Sequence, residues 1–200
     1  MVAGDRGWGL LNQLDLPPPV AGVMAIVLLD LTIYLQHLLF HRIPFLWPLH
    51  GLHHTDLDID VTTGARFHPL EIALSLLIKA GTIVLVGVPT WAFLLFEILL
   101  NGTSMFNHSN VRIPPGADRL LRLFLVTPDM HRVHHSVIIR ERNSNFGFSL
   151  SWWDRLFGTY RAQPEKGHDG MVIGLANFRN PRDLPLQRLL VLPFSHWRRF

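Results

Sequence analysis

Residues 20–42 read VAGVMAIVLLDLTIYLQHLLFHR. From Val20 to Phe40 only Asp30, Thr32, Gln36 and His37 interrupt the apolar run. A helix of that length crosses a hydrocarbon core of about 30 Å. A fully buried helix of a soluble protein has the same composition, so the polar interruptions matter. Asp30 and His37 stand seven residues apart and share a helix face. Ionisable groups inside a membrane point into the protein. The expected element is a membrane helix over about 20–41.

Upstream, Pro17, Pro18 and Pro19 separate the run from residues 1–19, which lack the basic start and apolar core of a signal peptide. Downstream, residues 43–56 read IPFLWPLHGLHHTD, and Trp47 sits where an aromatic belt residue belongs. Pro48 is costly inside a helix and tolerated in a first turn, so a short helix is expected to begin near it. Asp56, Asp58, Asp60 and Arg66 keep the next stretch out of the membrane. Two further apolar runs flank Gly87-Val88-Pro89 and predict membrane helices over about 70–87 and 89–106. Each is near the lower limit for a full span, which favours a hairpin that dips in and returns with both ends on one side. Arg42, Arg66, Arg112, Arg119, Arg122, Arg132, Arg140 and Arg142 flank that side, so the positive-inside rule places it in the cytoplasm. Residues 116–126 have an interfacial pattern. The expected organisation is an N-terminal segment over 1–19, one domain over 20–162 and a tail over 163–200.

The chain has 200 residues, no Cys and a formal charge of +3. Disulfides and thiolate metal sites are therefore excluded. The sixteen Arg and two Lys are scattered among aromatics rather than gathered in a stripe, which argues against nucleic acid. Histidine is the outlier, with twelve residues.

His37 and His41 are spaced i, i+4, while His50, His53 and His54 are spaced i, i+3, i+4, and His131, His134 and His135 repeat that triplet. At this histidine frequency one HxxHH is expected by chance about 0.04 times, so two copies point to a site. Neutral imidazole is the commonest metal ligand and suits iron, zinc, copper and nickel. His68 and His108 taken alone would be ordinary structural histidines; near the triplets they join the candidates. Eight to ten imidazoles exceed one ion's coordination sphere and suit two ions. HExxH and the Glu-rich ExxH pairs of soluble di-iron bundles are absent. An all-histidine pair of irons beside a bilayer points to oxygen activation on a lipid, because alkyl C–H bonds resist acid–base attack.

The ordered motifs His37-LLF-His41, His50-GL-His53-His54, FNHSNV around His108 and His131-RV-His134-His135 resemble the fatty acid hydroxylase superfamily, also called the sterol desaturase family. LFHRIPFLW, GARFHPLE, TPDMHRVHHS and NSNFGFSLSWWDRLFGTYR are similar to its flanking text, and the likeness covers roughly residues 24 to 162. The resemblance implies an all-α integral membrane bundle with a His-rich cytosolic di-metal cap. It also implies nine ligands: His37, His41, His50, His53, His54, His108, His131, His134 and His135. Ser104 occupies the place of a histidine that some members carry, and His68 is the candidate replacement. Asp30, Asp56, Asn110 and Asp129 are candidate partners that orient imidazoles through their free nitrogen. WWDRLFGTY is expected to pack the cap, with Phe146, Phe148, Trp152 and Trp153 as alternative linings of a lipid entrance. His168 and His196 are read as non-ligands.

The expected activity is O₂-dependent, di-iron hydroxylation or desaturation of a lipid or sterol-like substrate. It would use two Fe ions, with Zn an alternative in the isolated protein, and an external electron donor supplied by a separate reductase. A metal transporter or metal-binding membrane protein, and an inactive relative keeping a structural di-metal site, are the alternatives. Members of the superfamily carry further N-terminal membrane helices, so those helices are expected to be missing here, with a homo-oligomer one way to cover the bundle. The expected location is multi-pass in a membrane, read as a bacterial inner membrane, with the metal site cytosolic.

Overall fold

A computed structural model describes residues 6–195. His196 lies outside them. Among the described residues every regular element is a helix, and the only pairings of strand type are two isolated β-bridges, Leu125 with Leu150 and Ser136 with Ile173.

Helix α1, Pro18–Arg42, starts where the proline run supplies residues suited to a first turn. It is apolar all round and stands at the centre of the bundle. Short α2, Trp47–Gly51, carries Pro48 in its first turn, as the local chemistry requires. α3, Pro69–Val86, and α4, Thr90–Asn107, form the hairpin. Gly87 ends α3 with φ +77°, a left-handed conformation that side chains resist. A Cβ there would also lie 2.8 Å from the Trp8 carbonyl, because residues 8–12 fold across the hairpin tip. At 1.5 Å per residue each 18-residue leg is about 27 Å long.

α3 and α4 both pack along α1 and scarcely touch each other. Leu11, Leu29, Ile33, Val88, Ala92 and Phe96 form the core between the three helices at the hairpin-tip end. The outer faces of the hairpin are apolar and open: Leu77, Leu85 and Ile98 are each at least 70% exposed. A soluble surface rarely presents such a continuous apolar face, whereas acyl chains would cover it. α1 and α3 are long and apolar enough to cross a membrane.

The opposite end is a polar cap built from α5 (Pro115–Leu121), α6 (Pro128–His134), α7 (Ile139–Arg142) and α8 (Trp152–Leu156). Tyr34, Phe146 and Trp153 join the cap to α1. α9, Gly167–Gly170, and α10, Leu186–Ser195, follow. Leu175, Phe178 and Leu189 pack on Leu52, so residues after 162 cover the histidine-bearing segment around α2. Trp47 packs beside His41 and His54 at tilted ring angles, with the Arg142 guanidinium over its ring.

Candidate metal centre

Five elements, α1, α2, the 3-10 turn after it, α4 and α6, bring nine histidines to the cap end of the bundle. His37 and His41 close α1, and His50 lies in α2. His53 and His54 sit in the 3-10 turn that follows, and His108 caps the C-terminus of α4. His131 and His134 lie in α6, whose first turn is capped by the Thr127 hydroxyl accepting from Met130 N–H. His135 follows directly.

The imidazoles form two groups. His37, His41, His50, His54 and His134 make one; His53, His108, His131 and His135 make the other; within each, the candidate ligand atoms lie within 4.8 Å of one another. Each HxxHH divides between them. The i, i+4 pair His50 and His54 enters the first group and His53 the second, whereas His131 and His135 enter the second group and His134 the first. Helix geometry is the cause: i and i+4 are about 40° apart around the axis, while i+3 and i+4 are about 100° apart.

The nitrogens are sorted by their partners. Nδ1 of His37 donates to Phe146 O at 2.8 Å and Nδ1 of His50 to the Glu71 carboxylate at 2.7 Å. Nδ1 of His108 donates to Ser104 O at 2.7 Å, and Nδ1 of His134 to Ser144 O at 2.8 Å. Nδ1 of His41 faces Asn143 Oδ1 at 3.3 Å. Nε2 of each of these rings is left facing inward. Burial, and then neighbouring imidazoles, push His53, His54, His131, His134 and His135 well below the usual 6.5. Burial takes His108 down to about 4. These six rings are therefore neutral at physiological pH, the form that binds metals.

The donor set fits a pair of ions. Nε2 of His37 and Nε2 of His50 face each other 3.0 Å apart with both Nδ1 atoms engaged elsewhere, a separation at which both can ligate one cation. In the second group Nε2 of His108 lies 3.2 Å from that of His53 and 3.0 Å from that of His131. Nitrogens held at about 2.1 Å from one ion, at right angles, stand about 3 Å apart. Nε2 of His41 and of His134 is buried without a hydrogen-bond partner among the described residues.

Other candidates go elsewhere. His68 is the N-cap of α3: its Nδ1 accepts from Leu70 N–H and its Nε2 donates to Leu190 O, both at 3.1 Å. With both nitrogens engaged it does not stand in for a ligand at Ser104. Asp30 accepts from Trp153 Nε1 at 2.8 Å and from Leu150 N–H, joining α1 to α8 rather than orienting an imidazole. Asp56 pairs with Arg66 and accepts from Thr63, closing its own loop. Asp129 lies 3.5 Å from Arg132 on the outer face of α6 and 4.0 Å from His168, which belongs to neither group. Asn110 is exposed on a separate polar cavity. The acceptors actually used, Glu71, Asn143 and the carbonyls of Ser104, Ser144 and Phe146, went unread. Only Glu71 left a signal: an acid in the first turn of an apolar helix. Of the aromatics, Phe146 packs against His37, His41 and His134, Trp153 is buried and Trp152 is exposed.

A cavity of about 660 Å³ reaches the first group, lined by α1, α3, α4 and the loop that holds Val61 and Phe67. It occupies the space left between α3 and α4, with α1 as its back wall. His37 and His50 line its upper end and Phe148 its side. Gln36 and Glu71 also line it, and Oε1 of the first and Oε2 of the second are buried without a partner among the described residues.

An all-helical, membrane-type bundle with grouped histidines beside an apolar cavity defines the class. The fatty acid hydroxylase family profile matches residues 22–159, and the chain belongs to that family. It is 32% identical over 142 residues to ornithine lipid hydroxylase OlsE of Rhizobium tropici, covering 71% of this chain and 42% of that protein. It is 29% identical over 199 residues to the alkylglycerol monooxygenase of Homo sapiens, covering 96% and 42%. A cholesterol 25-hydroxylase-like protein of Danio rerio is 26% identical over 162 residues, covering 76% and 62%. The chain thus spans less than half the length of the first two relatives. No solved structure matches.

Proposed function

We propose that this chain holds two iron ions, one in each histidine group, and inserts oxygen into the alkyl part of a membrane lipid. The observation that carries the reading is the convergence of nine imidazoles, eight of them buried, on two points, one of them open to an apolar cavity. The named relatives, hydroxylases and a monooxygenase, support oxygen insertion over desaturation. When bound, the irons supply O₂ activation at an alkyl C–H bond. One oxygen atom enters the product and the other leaves as water, using two protons and two electrons from a separate reductase.

The chain's own residues do the rest. Phe146 O, Ser144 O, Ser104 O and Glu71 hold the rings by their Nδ1–H groups, so Nε2 is presented without reorganisation. The apolar lining takes the alkyl chain and excludes water. The free acceptors on Gln36 and Glu71 suit a hydroxyl or amide N–H of the lipid near the reacting carbon. The arginines that flank the cap support a cytosolic face for the site.

The test is iron stoichiometry and product analysis on purified protein supplied with a reductant. Two irons per chain, and an added oxygen atom from labelled O₂ in an extracted lipid pool, are expected. Fewer than two metals, or no lipid-dependent O₂ uptake by the reduced iron form, overturns the reading.

A further inference from the structure

Lys79 is one of only two lysines in the chain, and it lies inside the apolar hairpin. Its Nζ donates to Glu97 Oε1 at 2.6 Å, and Lys79 itself is 8% exposed. The two residues belong to different legs, α3 and α4, which scarcely touch elsewhere. The pair therefore bridges the cleft in which the cavity lies, and both residues line it.

Its depth follows from the helices. Lys79 is eight residues beyond Glu71, about 12 Å along α3, and Glu97 is seven residues before Ser104, about 10 Å along α4. Glu71 touches His50, and the Ser104 carbonyl holds His108. The bridge thus sits about 12 Å below the histidine groups. Immediately beyond it, the Thr82 hydroxyl meets that of Thr32 on α1, and Ile83 and Val86 join the solid core around Leu29 and Phe96. Open cleft lies on one side of the pair and packed side chains on the other.

An ion pair is a poor choice for holding two helices together in an apolar setting. Apolar side chains of similar volume do so as well or better, because they carry no desolvation cost. Intramembrane charges are retained for what they meet. We propose that the Lys79–Glu97 bridge is the polar floor of the substrate cleft, stopping the alkyl chain and thereby setting which carbon lies beside His37 and His50. This rests on the lipid reading above and adds to it a substrate rule: chains are selected by the length between the oxidised carbon and the chain end.

The test is binding, independent of turnover. Purified iron-loaded protein in detergent is given a dansyl fatty acid, which a homologous series of saturated fatty acids then displaces. Wild-type protein is expected to show a length optimum. Lys79→Met combined with Glu97→Leu removes the floor, and affinity for chains two methylenes beyond the optimum rises about tenfold. The swap Lys79→Glu with Glu97→Lys keeps the bridge and the optimum. Ser75→Phe fills the cleft one turn above an intact bridge and shortens the optimum, which keeps the test open if the double variant does not fold. Iron content stays at the wild-type value throughout. An unchanged optimum in the double variant, or in Ser75→Phe, overturns the floor while leaving the lipid reading in place. Wild-type protein that binds no chain overturns both.

Discussion

In five of the nine rings, those of His37, His41, His50, His108 and His134, a partner at Nδ1 decides which nitrogen is free. The Glu71 carboxyl group on His50 Nδ1 is the one acidic side chain among these acceptors. Removing it in Glu71→Ala lowers metal affinity of the first group by about 10–100-fold, measured by chelator competition, while Glu71→Gln keeps an acceptor and loses less. His68 is the contrasting case, because its ring caps α3 and touches neither group. His68→Ala is expected to leave metal content unchanged and to cost about 1 kcal/mol in unfolding experiments. His134→Ala, by contrast, removes a ligand that the second HxxHH sends across to the first group, and metal content falls by about half. The candidate ligands were legible as residues because imidazole chemistry and helical spacing are both written in the motif. Their sorting was not. It depends on the pitch of short helices and on carbonyls of Ser104, Ser144 and Phe146, which any residue type would offer.

At the level of elements, the segment between α7 and α8 carries much of the site although it has no regular structure. Its Ser144 and Phe146 carbonyls hold His134 and His37. Asp154, at 0% exposure in α8, fixes that segment by accepting from Phe146 N–H at 2.7 Å, Gly147 N–H at 2.8 Å and the Thr159 hydroxyl at 2.7 Å. Asp154→Ala strands these donors, so a loss of about 3 kcal/mol is expected in thermal or denaturant unfolding, with metal occupancy falling alongside. The sequence offered WWDRLFGTY as cap packing, and Trp153 does pack there. It did not offer Asp154 as a strut, because its partners are backbone groups seven and eight residues upstream.

For the whole molecule, the N-terminal turn at Gly87 and the histidine cap stand at opposite ends of the bundle. Both ends of the hairpin lie near the cap, which predicts that they share one side of the membrane. The absence of native Cys makes this measurable. Single cysteines replacing the exposed Asp58 and Arg140 are expected to react with a membrane-impermeant thiol reagent only from the cytosolic side, and one replacing Thr90 at the tip is not. Labelling of Thr90→Cys from the cytosolic side would contradict the hairpin.

Hydropathy and periodicity determined the central helix, the hairpin with its Gly87 turn, the start of α2 at Pro48 and the nine imidazoles, since each is a local property of residue type and spacing. The tertiary structure alone decided that each HxxHH serves both groups, that His68 is a cap, that Glu71 orients His50, and that Lys79 meets Glu97 across an open cleft. Those outcomes depend on which distant backbone and side-chain groups arrive at the same point. A sequence pattern of period 3.6 carries no information about that arrival. The run VAGVMAIVLLDLTIYLQHLLFHR announced a membrane helix; packing made it the back wall of a cavity.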